Sequence, residues 1–316
     1  MAIFLTIVAL AAPALSLNVG YVGVPFPFHD VPVPWQYHPG QTVQVIGEAA
    51  TSTASQVSAA SKTPSSTAGG FALKPTAGTT WNIQLITLPS VEQADDPKYS
   101  LWDFDMENAD KKLIDAFHAK NHSVACYFSA GSWEDFRKDA DTFPKESLGK
   151  VMKGWENEKW VDTRNQGLRD VMKKRIQAAK DKGCDAIDAD NVDGYSNDTG
   201  FDLTEDDGVD FVKFLAQTAH DHGMAYGLKN ADAIVDRVID VAQFSVQEEC
   251  VFYKECDSFQ AFIKANKPVF NIEYPDDKPK ESLKDFVKES CSDPDAKGFS
   301  QLIKKRDLGN FTATCP

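Results

Sequence analysis

The chain has 316 residues, 42% of them hydrophobic and 11% aromatic, with a formal net charge of −14. That is enough apolar material for a sizeable core, and it excludes a fibrous or disordered protein. An acidic chain repels nucleic acid and anionic membranes and favours cationic partners.

Ala2 to Ala12 form an apolar run too short to cross a bilayer, and Ala14-Leu15-Ser16 offers a small-x-small cleavage site. Residues 1–17 therefore read as a signal peptide, and no later segment is apolar enough to span a membrane. Residues 18–46 are rich in Pro and aromatics, as in Pro25-Phe26-Pro27-Phe28, and prefer extended or turn backbone. A Ser/Thr/Ala/Gly tract follows over 49–70 and cannot bury enough apolar surface to fold. The expected organisation is a flexible segment over 18–72 and one compact domain over 73–316. Asp30, Glu48, Lys62 and Lys74 cancel over residues 18–78, so the acidic surplus belongs to the compact domain.

Within that domain short apolar runs alternate with helical patterns. The predicted strands are 81–86, 101–105, 123–128, 186–189, 225–228, 243–246, 268–272 and 299–303. Helices are predicted over 108–120, 168–182 and 204–222. Gly183 and Gly223 are placed to end the last two, and Thr204 to start the third. Such strand–helix units over roughly 240 residues fit a (β/α)8 TIM barrel. The competing open, doubly wound sheet would place a Gly-rich phosphate loop after its first strand. Here the chain reads Thr87-Leu88-Pro89-Ser90 instead. One connection, 129–167, is long and holds Trp133, Phe136, Phe143, Trp155 and Trp160. In a barrel it lies on the C-terminal face, where it walls a cleft or closes on itself.

Export permits disulfides. Cys250 and Cys256 sit close enough to staple one loop, and Cys291 and Cys315 bracket the C-terminal end. Cys126 and Cys184 fall in or beside core strands and are expected to be free, buried thiols. Asn121, Asn197 and Asn310 each open an N-glycosylation sequon.

Acidic residues recur at the C-terminal ends of the predicted strands: Asp103 and Asp105, Asp188 and Asp190, Glu248 and Glu249, and Glu273. Inward carboxylates at a barrel mouth are costly to bury unless paired, metal-bound or catalytic. Ion pairs with Lys229, Arg164 and Arg137 are the structural alternative. The histidines lie in the N-terminal tail or on helices and helix ends, so zinc hydrolysis is disfavoured, and no G-x-S-x-G elbow supports a serine nucleophile. Glycoside hydrolysis needs two carboxylates flanking a bond and no cofactor or metal. Strands four and six are two apart in a closed barrel, so Asp190 and Glu248 can face each other across its axis.

Four segments resemble motifs of glycoside hydrolase family 114, the endo-α-1,4-polygalactosaminidases. They are Cys126 to Ser132, Asp190 to Phe201, Gly227-Leu228-Lys229-Asn230 and Glu248-Glu249-Cys250. The resemblance runs from Trp81 to Cys315. It implies a barrel with Asp190 and Glu248 as catalytic acids, a retaining pair with Asp190 the nucleophile and Glu248 the acid/base. It also implies substrate-lining roles for Trp81, Asp105, Tyr127, Asp188, Asn191, Asp193, Lys229 and Glu273. The implied substrate is a cationic, galactosamine-rich polysaccharide, met outside the cell or at its wall by a monomeric enzyme. Two positions depart from the family pattern: Asp188-Ala189 replaces Glu-Pro, and Gln247 stands where Asn is more usual. Another amino-sugar or galactosyl polymer, or a non-catalytic carbohydrate-binding barrel, are the alternatives.

Overall fold

A computed structural model describes residues 73–278 and 281–315. The expected signal peptide over 1–17 and flexible segment over 18–72 lie outside those residues. Eight parallel strands follow one another around the sheet in chain order. They are β1 (Trp81–Gln84), β2 (Leu101–Asp105), β3 (Ser123–Ser129), β7 (Ala186–Asp190), β8 (Ala225–Lys229), β9 (Phe244–Glu248), β10 (Val269–Glu273) and β11 (Ser300–Ile303). All eight predicted strands are present, with ends moved by one or two residues. Most of their residues are buried, because helices cover one face and the barrel interior the other.

The helices follow their end signals. Helix α1 (Lys111–His118) starts at Asp110, whose side chain accepts from the Leu113 amide. Helix α2 (Gln166–Lys182) is capped by Asn165 and ends at Gly183, which turns left-handed at φ 99°. Helix α3 (Glu205–Asp221) opens with a Thr204–Asp207 capping box. The later helices are α4 (Val235–Val238), α5 (Cys250–Tyr253), α6 (Gln260–Lys264) and α7 (Leu283–Cys291), all shorter than α2 and α3.

Between β11 and β1 the barrel is joined by the C-terminal tail. Strand β12 (Ala313–Thr314) runs antiparallel to β11. The Leu85 amide donates to Leu308 O at 3.0 Å. The Trp81 indole donates to Ser300 O at 2.8 Å and stacks on Phe270. The Cys291–Cys315 disulfide ties this tail to α7. The long 129–167 connection folds into a second sheet of β4 (Ser132–Glu134), β5 (Leu148–Met152) and β6 (Trp155–Val161), ordered β4-β6-β5. Phe143 and Trp160 are buried in it, and the Trp133 indole donates to Ala140 O. These rings close the loop on itself. The sheet leans on the loop after β7, where the Lys150 amide donates to Thr199 O at 2.9 Å.

The cysteines correct one expectation. Cys126 and Cys184 are not free thiols: they form a disulfide across 58 residues of sequence. The Gly183 turn ends α2 and sends the chain into β7 beside β3, which brings Cys184 against the outer face of β3. A crossover helix hides that proximity from sequence spacing. Cys250–Cys256 pair as expected. Closing so long a loop restricts the unfolded chain by about 4 kcal/mol in the chain-entropy account. Replacing Cys126 and Cys184 together with Ala is expected to lower unfolding stability by about 2–4 kcal/mol, read by denaturant titration.

Candidate active site

The candidate groups stand at the C-terminal ends of β7, β8 and β9. Lys229 ends β8, and its ammonium lies 3.1 Å from Asp190 Oδ2 and 2.7 Å from Glu248 Oε2. One buried cation thus bridges a carboxylate from each neighbouring strand. Burial works against its charge, but Asp190, Glu248 and Asp188 outweigh that and hold Lys229 well above its ordinary value. The two carboxylate oxygens can be no farther apart than the sum of those distances.

Each carboxylate has further donors. The Tyr127 hydroxyl on β3 donates to Asp190 Oδ2 at 2.8 Å, and the Asn191 amide donates to Asp190 Oδ1 at 2.7 Å. The Tyr274 hydroxyl, one residue past β10, donates to Glu248 Oε1. Burial, together with Asp190, pushes the Tyr127 hydroxyl well above its usual value, and burial with Glu248 does the same at Tyr274. Both phenols therefore remain donors.

The backbone turns sharply after each of the three strand ends. Asn191, Asn230 and Glu249 follow Asp190, Lys229 and Glu248, with φ of 60°, 47° and 61°. A left-handed residue there ends the strand and leaves the preceding side chain at the barrel mouth. Asn tolerates that conformation best. The turns are pinned from outside. Asn191 Nδ2 donates to Ser129 Oγ at 2.8 Å, and Asn230 Oδ1 accepts from the Glu248 amide at 3.0 Å. Arg306 donates to Glu249 Oε1 at 2.9 Å and lies over the Tyr274 ring. Ala130 and Gly131 amides both donate to Asp190 O. Gly131 is required by that approach: a Cβ there would sit 1.6 Å from Asn191 O.

The family is legible at this point. The model of the glycoside-hydrolase family GH114 matches residues 60–316. The chain belongs to that family. Its fold and sequence are similar to the crystal structure of Aspergillus fumigatus Ega3 in complex with galactosamine. That match is 38% identical, covers 79% of this chain and 100% of the other, and has a TM-score of 0.74. The glycoside hydrolase domain of PelA from Pseudomonas aeruginosa shares the fold at 12% identity, over 75% of this chain and 98% of that one, with a TM-score of 0.58. Comparison with curated proteins gave no match. The chain is a glycoside hydrolase with the TIM-barrel fold.

The other sequence-predicted residues divide into three groups. Tyr127, Asn191 and Lys229 meet at the carboxylate pair, as described. Asp193, half-buried on the loop after β7, stands near Asp190; burial, with Asp190 adding to it, pushes its carboxyl up to about 6. The remaining four are turned elsewhere. Trp81 is 1% exposed at the N-terminal end of β1, the opposite end of the barrel from the carboxylates. Asp105 spends its oxygens on Arg137 at 2.7 Å and the Asn108 amide at 2.9 Å, tying β2 to the second sheet. Glu273 is 1% exposed and accepts from the Val251 and Phe252 amides, holding the start of α5. Asp188 is fully buried below the mouth. A substrate-lining role does not fit these four, because no sugar reaches side chains so enclosed. Of the foreseen ion pairs, Lys229 and Arg137 engage strand-end acids; Arg164 pairs with Asp162 in its own turn.

Tyr274, Arg306 and Asn230 were not singled out as site residues by sequence. Asn230 carried a signal, an Asn directly after a strand-end Lys. Tyr274 and Arg306 carried none, since their partners are distant in the chain. Gly131→Ala is expected to displace the Asp190 backbone. Stability should fall by about 1–3 kcal/mol in urea unfolding, with a larger proportional loss of hydrolytic rate.

Proposed function

We propose that this enzyme is a secreted endo-hydrolase of α-1,4-linked, galactosamine-rich polysaccharide, working by a retaining mechanism with Asp190 as nucleophile and Glu248 as acid/base. The observation that carries the reading is the single Lys229 ammonium touching both carboxylates. That contact sets an upper bound on the separation of the two bridged oxygens, which supports the about 5–5.5 Å spacing of a retaining pair over the about 6.5–9.5 Å an inverting enzyme needs for its water.

The division of labour is the one the family resemblance implies. Tyr127 and Lys229 on Oδ2 and the Asn191 amide on Oδ1 hold the Asp190 carboxylate in a fixed orientation, which suits a group that attacks a single carbon. In the first step Asp190 attacks the anomeric carbon, the glycosidic C–O bond breaks, and the leaving oxygen takes the proton of Glu248. In the second, Glu248 takes a proton from water, the hydroxyl attacks the same carbon, and Asp190 is released.

The substrate reading rests on family membership and on similarity to a protein seen with galactosamine. It agrees with the net charge of −14, since unacetylated galactosamine carries an ammonium that an acidic protein attracts. Extracellular operation fits three disulfides and the exposed sequon residues Asn121, Asn197 and Asn310. Among the described residues no helix is long and apolar enough to cross a membrane.

The test is digestion of defined α-1,4-galactosamine oligomers with products sized by mass spectrometry. Internal cleavage is expected, and release of monosaccharide alone would refute endo action. Proton NMR of the first product should show the α anomer; a β anomer would overturn retention. Asp190→Asn and Glu248→Gln are each expected to lower kcat by at least about 10²–10⁴-fold while leaving binding largely intact. Tyr127→Phe removes a hydrogen bond to a charged group, worth about 1.5–3 kcal/mol, and should lower kcat/KM by about 10- to 100-fold. Added salt should slow cleavage of the cationic polymer by screening; salt-insensitive kinetics would remove the role given to the charge.

A further inference from the structure

Beneath the carboxylate pair lies an acidic floor that the hydrolytic steps do not use. Asp103 on β2 and Asp188 on β7 are both fully buried. Asp188 precedes Asp190 by two residues, so it enters the barrel from the same strand face, one layer lower. Asp103 stands in the same relation to Asp105. Strand β3 runs between them and places Ala125 at the register of Asp103. On the other flank Gly227 pairs with Asp188. A Cβ on Gly227 would lie 2.3 Å from the Phe244 ring. Asp188 has Tyr127 at its register on the β3 side, but that hydroxyl is turned up to Asp190, so Ala125 beside Asp103 and Gly227 beside Asp188 leave the space that two carboxyl groups fill.

Among the described residues no N–H or O–H donor meets any of the four oxygens. Each carboxyl interacts with the other, and both feel Lys229 above them. Two buried carboxylates in mutual reach cannot both be ionised. One proton between them replaces repulsion with an O–H···O⁻ bond.

We propose that Asp103 and Asp188 share one proton and act as positioning residues, setting a single negative charge below Lys229 that holds its ammonium between Asp190 and Glu248. The inference rests on the reading of Asp190 and Glu248 as the working pair. The charged neighbours are Lys229 from β8, Asp190 from the same strand as Asp188, and Glu248 from β9. The Tyr226 hydroxyl of β8 feels Asp188 without bonding to it, and Tyr127 of β3 turns its hydroxyl to Asp190.

Burial pushes Asp103 well above the carboxylate range and Asp188 up to about 7, against the pull of Lys229. As pH rises through that value the pair goes from two protons to one, which the two carboxyls then share; Asp103, raised further by burial and by Asp188, gives up that last proton only at higher pH. A second negative charge then draws the Lys229 ammonium down and repels Asp190, so activity falls on the basic side. Stability has the same sign. The unfolded carboxyl ionises near its ordinary 3.8, whereas the folded one keeps its proton to about 7. Stability therefore declines across that window and levels above it.

The experiment uses the full chain with Asp188→Asn and, separately, Asp103→Asn. Asn gives the opposite carboxylate a donor and cannot titrate. The basic limb of kcat/KM on α-1,4-galactosamine oligomers should move by about one pH unit or more in either variant. In parallel, native-minus-variant infrared spectra at pH 8, above the loss of the first proton, should still show the C=O band of a protonated carboxyl. The decline of stability between pH 4 and 7 should also flatten in urea unfolding. An unchanged basic limb in both variants overturns the positioning role. Absence of the infrared band overturns the shared proton, and that result stands even if another polymer proves to be the substrate. If one variant does not fold, the other decides both points.

Discussion

The site depends on one buried ammonium. Lys229 is nearly sealed from water, and a lone charge there would cost several kcal/mol. It is tolerable because Asp190 and Glu248 both contact it, and Asp188 lies in the layer below. The dependence runs both ways. Without the cation, carboxylates on β7 and β9 would repel across the narrow mouth of the barrel. With it, both carboxylates are held against one ammonium.

The fold serves that arrangement by ending three strands at the barrel mouth. Strands β7, β8 and β9 end at Asp190, Lys229 and Glu248, with Lys229 in register with Val246 and its long side chain spanning the offset to Glu248, and a left-handed residue after each stops the strand there. That conformation is unfavourable for Glu249, and the surroundings hold it: Arg306 pairs with its carboxylate and lies over Tyr274, whose hydroxyl reaches Glu248. On the other side Gly131 lets the loop after β3 press against the Asp190 backbone. Strain at these turns is balanced by contacts from β3, β10 and the segment after β11, so distant parts of the chain share in fixing two oxygens.

Much of this was legible without coordinates. Strands such as 101–105 and 225–228 are apolar runs bounded by turn residues, and period-two alternation already put Asp188 and Asp190 on one face. Thr204 lies at a real helix start, and Gly183 ends α2. The pair Asp190 and Glu248 emerged from strand ends two apart. Where the reading went astray, the reason was depth. Asp105, Asp188 and Glu273 sit on the same strand ends as the working acids. Only packing reveals that Arg137 occupies one, that amides of α5 occupy another, and that the third lies a layer below the mouth.

By itself the sequence determined the barrel, the family and the acidic character, and it nominated the carboxylate pair, because these follow from local periodicity, composition and short contiguous motifs. Tertiary structure decided which acids face the cleft, that Lys229 binds both of them, that Tyr274 and Arg306 support Glu248, and that Cys126 meets Cys184. Each of those is a contact between residues far apart in the chain. Such contacts depend on how strands shear and loops fold over the rim, and no spacing along one chain encodes that.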